Sequence, residues 1–137
     1  MATDNASPSS SIPSHRGQNI PIDLLGKLGH IKEHWRPHVV AEMNNYQFKV
    51  VKIAGDFVWH THQDTDEAFI VLEGVLRIDF RDRSMELQPG QMAVVPKGVE
   101  HKTFAAEEAK LLLIEPAGVQ NTGDAETDRT APDDVWI

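Results

Sequence analysis

The chain has 137 residues, 13 Lys+Arg against 21 Asp+Glu, a formal net charge of −8 and no cysteine. The length suits one domain, and the missing cysteines exclude a disulfide scaffold, a thiol nucleophile and a sulfur-built zinc site. The acidic balance excludes the basic patch a nucleic-acid partner needs, and no apolar run approaches the ~18 residues of a membrane span.

Residues 1–19 are mostly Ser, Pro, Asn and small residues, and the expectation is a disordered tail. They lack the apolar stretch of a signal peptide, which together with the absent cysteines points to the cytoplasm. From Pro21 to Leu28 the apolar residues are spaced as on a short helix, and Gly29 is placed to stop it. Beyond that the chain reads as strands. Gln47 to Ile53 and Glu67 to Leu72 are rich in β-formers. Leu76 to Arg81 alternates between apolar and charged residues. Met92 to Val95 and Lys110 to Ile114 are short apolar runs. Gly- and Pro-containing turns separate them, such as Glu73-Gly74, Pro89-Gly90 and Pro96-Lys97-Gly98. Short strands at roughly 8–12-residue spacing predict an antiparallel sandwich or barrel over residues 20–120. Residues 121–137 hold five acids and one Arg and read as an extended acidic tail. They end in Val135-Trp136-Ile137, an apolar triplet of the kind that docks on its own subunit or a neighbour.

The chemistry concentrates in four residues. His60 and His62 flank Thr61, and in a strand residues i and i+2 share a face at roughly 6.5–7 Å. Glu67 follows across a short loop, where a hairpin would fold it back beside the histidines. His101 comes just after the Pro96–Gly98 turn. Four titratable side chains inside a small barrel are costly unless something coordinates them, and a divalent ion held by three imidazoles and one carboxylate does so. That donor set suits Fe(II), Mn(II), Co(II), Ni(II), Cu(II) or Zn(II). Four protein ligands would fill a tetrahedral zinc, whereas an octahedral ion keeps two positions for substrate. One ion per chain is expected, with Fe, Mn or Ni favoured for function and Zn or Co compatible with the donors.

Pleat direction suggests the pocket lining. Val58 shares a face with the two histidines, Phe69 with Glu67, and Thr103 with His101. Two registers exist for the strand from Gln47. The favoured one turns Gln47, Lys49, Val51 and Ile53 inward. Lys49 then stands near the metal and is the candidate catalytic residue. Phe57, Trp59 and Thr61 would face outward, and such an apolar patch predicts a homodimer surface. His30 and His34 are spaced i,i+4 and form a candidate second cluster.

The pattern Gly55-x4-His60-x-His62-x4-Glu67-x6-Gly74 resembles the first motif of the cupin superfamily, and Gly90-x5-Pro96-x-Gly98-x2-His101 resembles its second. The resemblance spans about residues 46–115. It departs in having four residues between Gly55 and His60, where five are common, and Ala105 where an Asn often closes the second motif. It implies an all-β fold, an antiparallel jelly-roll β-barrel with a short N-terminal helix, and His60, His62, Glu67 and His101 as metal ligands. The short spacing between motifs is similar to that of small single-domain bacterial cupins, including those named mannose-6-phosphate isomerase-like. Those relatives pair as homodimers.

The resulting expectation is a metal-dependent enzyme acting on a small polar, sugar-like or carboxylate or enediol substrate by isomerase, epimerase or lyase chemistry. The alternatives are an Fe(II)-dependent dioxygenase and a non-catalytic metal-dependent binding protein. Metal affinity is expected to fall steeply below about pH 6, because protonation removes the coordinating lone pair of each imidazole.

Overall fold

Asp23 opens the first element: its carboxylate accepts the Gly26 N–H at 3.0 Å and caps helix α1, Leu24–Leu28. Gly29 ends the helix, and Leu28 is its buried contact with the barrel. The computed structural model describes residues 18–137, so most of the expected N-terminal tail lies outside the described residues. Among the described residues no helix is long and apolar enough to cross a membrane.

Seven strands follow: β1 (His38–Met43), β2 (Tyr46–Asp56), β3 (Glu67–Glu73), β4 (Leu76–Asp79), β5 (Ser84–Leu87), β6 (Met92–Val95) and β7 (Lys102–Pro116). The two-residue turn between β1 and β2 holds Asn44 at a φ of 57°, a conformation Asn tolerates in hairpins. The sheet runs in the order β1-β2-β7-β3-β6, with β4 pairing both β5 and β7, and every strand pair is antiparallel. This is the expected all-β jelly-roll barrel, with one short helix among the described residues.

Strand β7 is the hub, and it is longer than the run from Lys110 to Ile114. Its first half, Phe104-Ala105-Ala106-Glu107-Glu108, contains strong helix formers. Pairing decides otherwise, because Phe104 lies opposite Asp56 on one side and Arg77 on the other. Strands β1 and β5 likewise lack a sequence signal of their own. In β5 only Leu87 is buried, so the alternation that betrays a half-buried strand is missing.

Inside, β2 sets Gln47, Lys49, Val51 and Ile53 opposite Glu115, Leu113, Leu111 and Ala109 of β7. The row is polar at one end and apolar at the other, where it joins Phe69, Val71, Leu76 and Ile78 in the main core. Gly74 is required at the turn into β4. Its φ is +84°, and a Cβ there would come to 2.8 Å of Ala109 Cα. A second cluster, Leu28, Ile31, Val40 and Val50, lies outside the barrel under α1.

The segment 121–137, expected as an extended solvated tail, folds back onto the barrel. Thr122 and Ala131 are buried. Val39 N–H donates to the Val135 carbonyl at 2.7 Å, Ile137 N–H donates to the Val39 carbonyl at 3.1 Å, and Trp136 bridges Val39 in parallel. The reason is the free edge of β1, whose backbone groups need partners. The segment is acidic on its exposed side, which is why its composition reads as solvated.

Candidate metal centre

Between β2 and β3, residues 57–66 are not a regular strand. The ladder contact in this stretch is an isolated bridge, with His60 N–H to the His101 carbonyl and the reverse both at 3.0 Å. That bridge joins the two motifs, and Glu67 begins β3 beside it. The His60 ring stands 4.4 Å from His101 and 5.0 Å from His62, measured between centroids. All four side chains are buried, and their ligand atoms lie within 4.8 Å of one another.

The second nitrogen of two rings is already spoken for. His60 Nδ1 meets the Val58 carbonyl at 2.8 Å and His101 Nδ1 meets the Val99 carbonyl at 3.0 Å. A carbonyl only accepts, so each Nδ1 carries the proton and each Nε2 presents a lone pair to the centre. Glu67 Oε1 lies 3.2 Å from His62 Nε2 and 3.5 Å from His101 Nε2. The geometry is not that of a hydrogen bond: His62 Nε2, Glu67 Oε1 and His101 Nε2 are buried without a partner. Each such atom costs about 1–3 kcal/mol. A cation among them satisfies all three, so the residues fit a metal ion.

Charge points the same way. Burial, helped by the neighbouring His101, lowers His60 to about 4 and keeps it neutral. Burial also opposes protonation of His62, but the Glu67 carboxylate outweighs it and raises this imidazole above its usual value. Burial pushes Glu67 upward too, yet the His101 and His62 rings win and hold it at about 2. The centre therefore offers an anionic oxygen at neutral pH.

One face of the centre opens on a small, half-open cavity of about 40 Å³. His60, Glu67, Thr103 and Asn121 are its polar groups. The rest of the wall is apolar, including Trp35, Phe57, Phe69 and Leu113. Trp35 and Phe57 stack at 4.7 Å between ring centroids. Of the expected lining residues, Phe69 and Thr103 stand in the wall. Val58 packs against the core and contributes its carbonyl to His60. Gln47 donates to Glu42 and Asp134, both at 2.8 Å.

Lys49 is buried, but its ammonium does not reach the cavity wall. Its Nζ donates to Glu115 Oε2 at 2.9 Å and to the Val119 carbonyl at 3.3 Å. Burial and the nearby Glu67 carboxylate raise Glu115 to about 8, against the pull of Lys49. Lys49 is thus a structural partner here. Lys49→Ala is expected to cost about 1–3 kcal/mol, the usual loss when a buried polar group, here the Glu115 carboxyl, is left without its hydrogen-bond partner. Urea unfolding of the metal-free chain measures it, and a loss under about 1 kcal/mol would contradict a buried pair.

The outward patch expected at Phe57, Trp59 and Thr61 is absent. Phe57 and Thr61 are buried, at 8% and 9% exposure, because the irregular backbone breaks the strand alternation. Trp59 lies under the Arg81 guanidinium, 3.9 Å from its ring centroid. His30 and His34 share no helix, and His34 pairs with Glu108 at 2.9 Å. The sequence reading missed Trp35, Asn121 and Glu115. Of these only Glu115 had a signal, the alternation of Leu111, Leu113 and Glu115 along β7.

A jelly-roll barrel with three imidazoles and a carboxylate converging inside it defines a class of metal-binding protein, and comparison with known proteins agrees. Residues 48–115 match the cupin domain family. A cupin-2 domain containing protein from Shewanella frigidimarina is 58% identical, with a TM-score of 0.69 over 69% of this chain and 93% of that one. A Neisseria meningitidis protein is 39% identical, with a TM-score of 0.66 over 72% of this chain and all of that one. The YdbB protein of Bacillus subtilis is 37% identical over 94 residues, 68% of this chain and 83% of its own length. The chain belongs to the cupin superfamily.

Proposed function

We propose that the chain is a metal-dependent enzyme for a small substrate with an apolar body and one or two oxygen donors, and that its chemistry is of the dioxygenase type. The observation that carries this reading is the cavity wall: mostly apolar, with His60 and Glu67 of the metal centre in it. Sugar isomerisation draws less support. A sugar needs many hydrogen-bond partners, and beyond His60 and Glu67 the cavity offers Thr103 and Asn121. Proton transfer also needs a base, and Lys49 is held by Glu115.

Trp35 and Phe57, stacked on each other, join Val51, Ile53, Leu111 and Leu113 in an apolar wall that excludes water from the cavity. His60 and His101 are fixed in one tautomer by Val58 and Val99. A bound divalent ion would supply Lewis acidity, and iron(II) the electron transfer that O₂ requires. The test is O₂ uptake by iron(II)-loaded protein against a panel of catechols, 1,3-diketones and sugar phosphates. Uptake with an apolar phenolic or enolic compound, absent in His62→Ala, is the expected result. Turnover of a sugar phosphate without O₂ uptake would overturn it. Binding of the same compounds without turnover would assign a binding protein instead.

A further inference from the structure

We propose that the segment from Asn121 to Asp124, outside the stretch that matches the cupin domain, is a built part of the metal centre, with Gly123 and Asp124 as positioning residues for His60 and His62. The inference rests on the metal reading of the four ligands and not on the substrate or the reaction.

The ligand-bearing turn is fastened at three consecutive residues. His60 is held by the backbone bridge to His101. The His62 carbonyl accepts the Gly98 N–H at 2.8 Å. Both of these fastenings join one motif to the other. The third is different. Thr61, the residue between the two ligands, donates its N–H to Asp124 Oδ1 at 2.9 Å and accepts the Asp124 N–H at 3.1 Å. One residue of the C-terminal segment therefore takes up both backbone polar groups of Thr61.

Gly123 closes the same contact. Its φ is +57°, and a Cβ there would overlap the Thr61 carbonyl oxygen and come to 3.2 Å of His60 Cδ2. That carbon is bonded to Nε2, the ligand nitrogen. The glycine lets the segment's backbone lie against the His60 ring at the edge facing the metal position.

The segment is itself anchored. The buried Thr122 hydroxyl meets the Ala125 carbonyl at 2.6 Å and the Thr130 hydroxyl at 2.7 Å. Asn121 Nδ2 donates to the Arg129 carbonyl at 2.8 Å and to the Trp35 carbonyl at 3.3 Å, and Asn121 Oδ1 accepts the Ala131 N–H at 2.9 Å. The clasp on Thr61 thus transmits the position of a packed element. Outer groups that orient metal ligands typically contribute 10–100-fold to affinity.

The test is cobalt(II) titration of the full chain, with the visible absorption spectrum and chelator competition as readouts, beside melts of the metal-free protein. Asp124→Ala is expected to weaken cobalt affinity about tenfold or more and to alter the spectrum. Asp124→Asn keeps the Oδ1 acceptor and is expected to restore both. Ile31→Val thins the cluster under α1, apart from the segment and the ligand turn, and is expected to lower the melting temperature while leaving affinity and spectrum unchanged. Native affinity and spectrum in Asp124→Ala would overturn the proposal alone. Failure of the native chain to bind cobalt would overturn the metal reading and this proposal together. Should Asp124→Ala not fold, Asp124→Glu displaces the acceptor by one methylene; weaker binding supports the clasp, and native affinity overturns it.

Discussion

Replacing His101 by alanine is expected to abolish stoichiometric metal binding, with affinity at least ~100-fold weaker, since loss of a ligand exceeds the 10–100-fold loss of an outer-shell partner. His101 is 1% exposed and its Nε2 has no protein partner, an orphaned atom that a bound metal ion would satisfy. Its backbone bridge to His60 does not depend on the side chain and should survive the change. Glu67→Gln is the companion test. It keeps the shape of the side chain and removes the charge that this site holds ionised. Metal content after dialysis against a trace of ion is the measurement. A full equivalent of metal in either variant would show that the ion, if bound, sits elsewhere.

The second large effect joins metal to stability. Saturating the native state at 100–1,000 times Kd adds about 3–4 kcal/mol. Melts with and without chelator at pH 7.5 should therefore differ clearly, while at pH 5.5 the difference should be small. The sign follows from the histidines. Protons compete with the ion for the same lone pair, and the Glu67 carboxylate raises His62, so His62 takes up its proton before His60 as pH falls. His60, lowered to about 4, has no proton to give up until well below that range. An equal shift at both pH values would exclude the histidines as main ligands.

The metal-free chain has its own pH dependence. His60 binds its proton less readily folded than unfolded, so its contribution is present above the unfolded value of 6.5 and is lost as pH falls through about 4. His62 acts oppositely: its contribution is complete below 6.5 and is lost as pH rises through its raised folded value. Their windows meet at pH 6.5, so together they place the stability maximum from these two groups near that value. Glu67 then adds a loss of stability between pH 4.5 and about 2. Acid unfolding of the metal-free chain should steepen there.

The sequence alone determined the four residues that gather at the candidate metal centre and the class of fold. His60 and His62 at a spacing of two, Glu67 beyond a short loop and His101 beyond a Pro–Gly turn are local patterns, and local patterns survive folding. The same holds for the alternation in β4 and for the capped turn of α1. Tertiary structure decided what surrounds the ligands. Phe57 turns inward because its backbone leaves the strand geometry, and no periodicity announces that departure. Lys49 reads as a free cation until Glu115, 66 positions away, is placed beside it. The segment 121–137 reads as solvated because its acids face water, while the groups that fasten it to the barrel, Asn121 and Asp124, find their partners far off in sequence at Trp35 and Thr61. Composition records the exposed side of such a segment, and only the packed chain shows the backbone groups it satisfies.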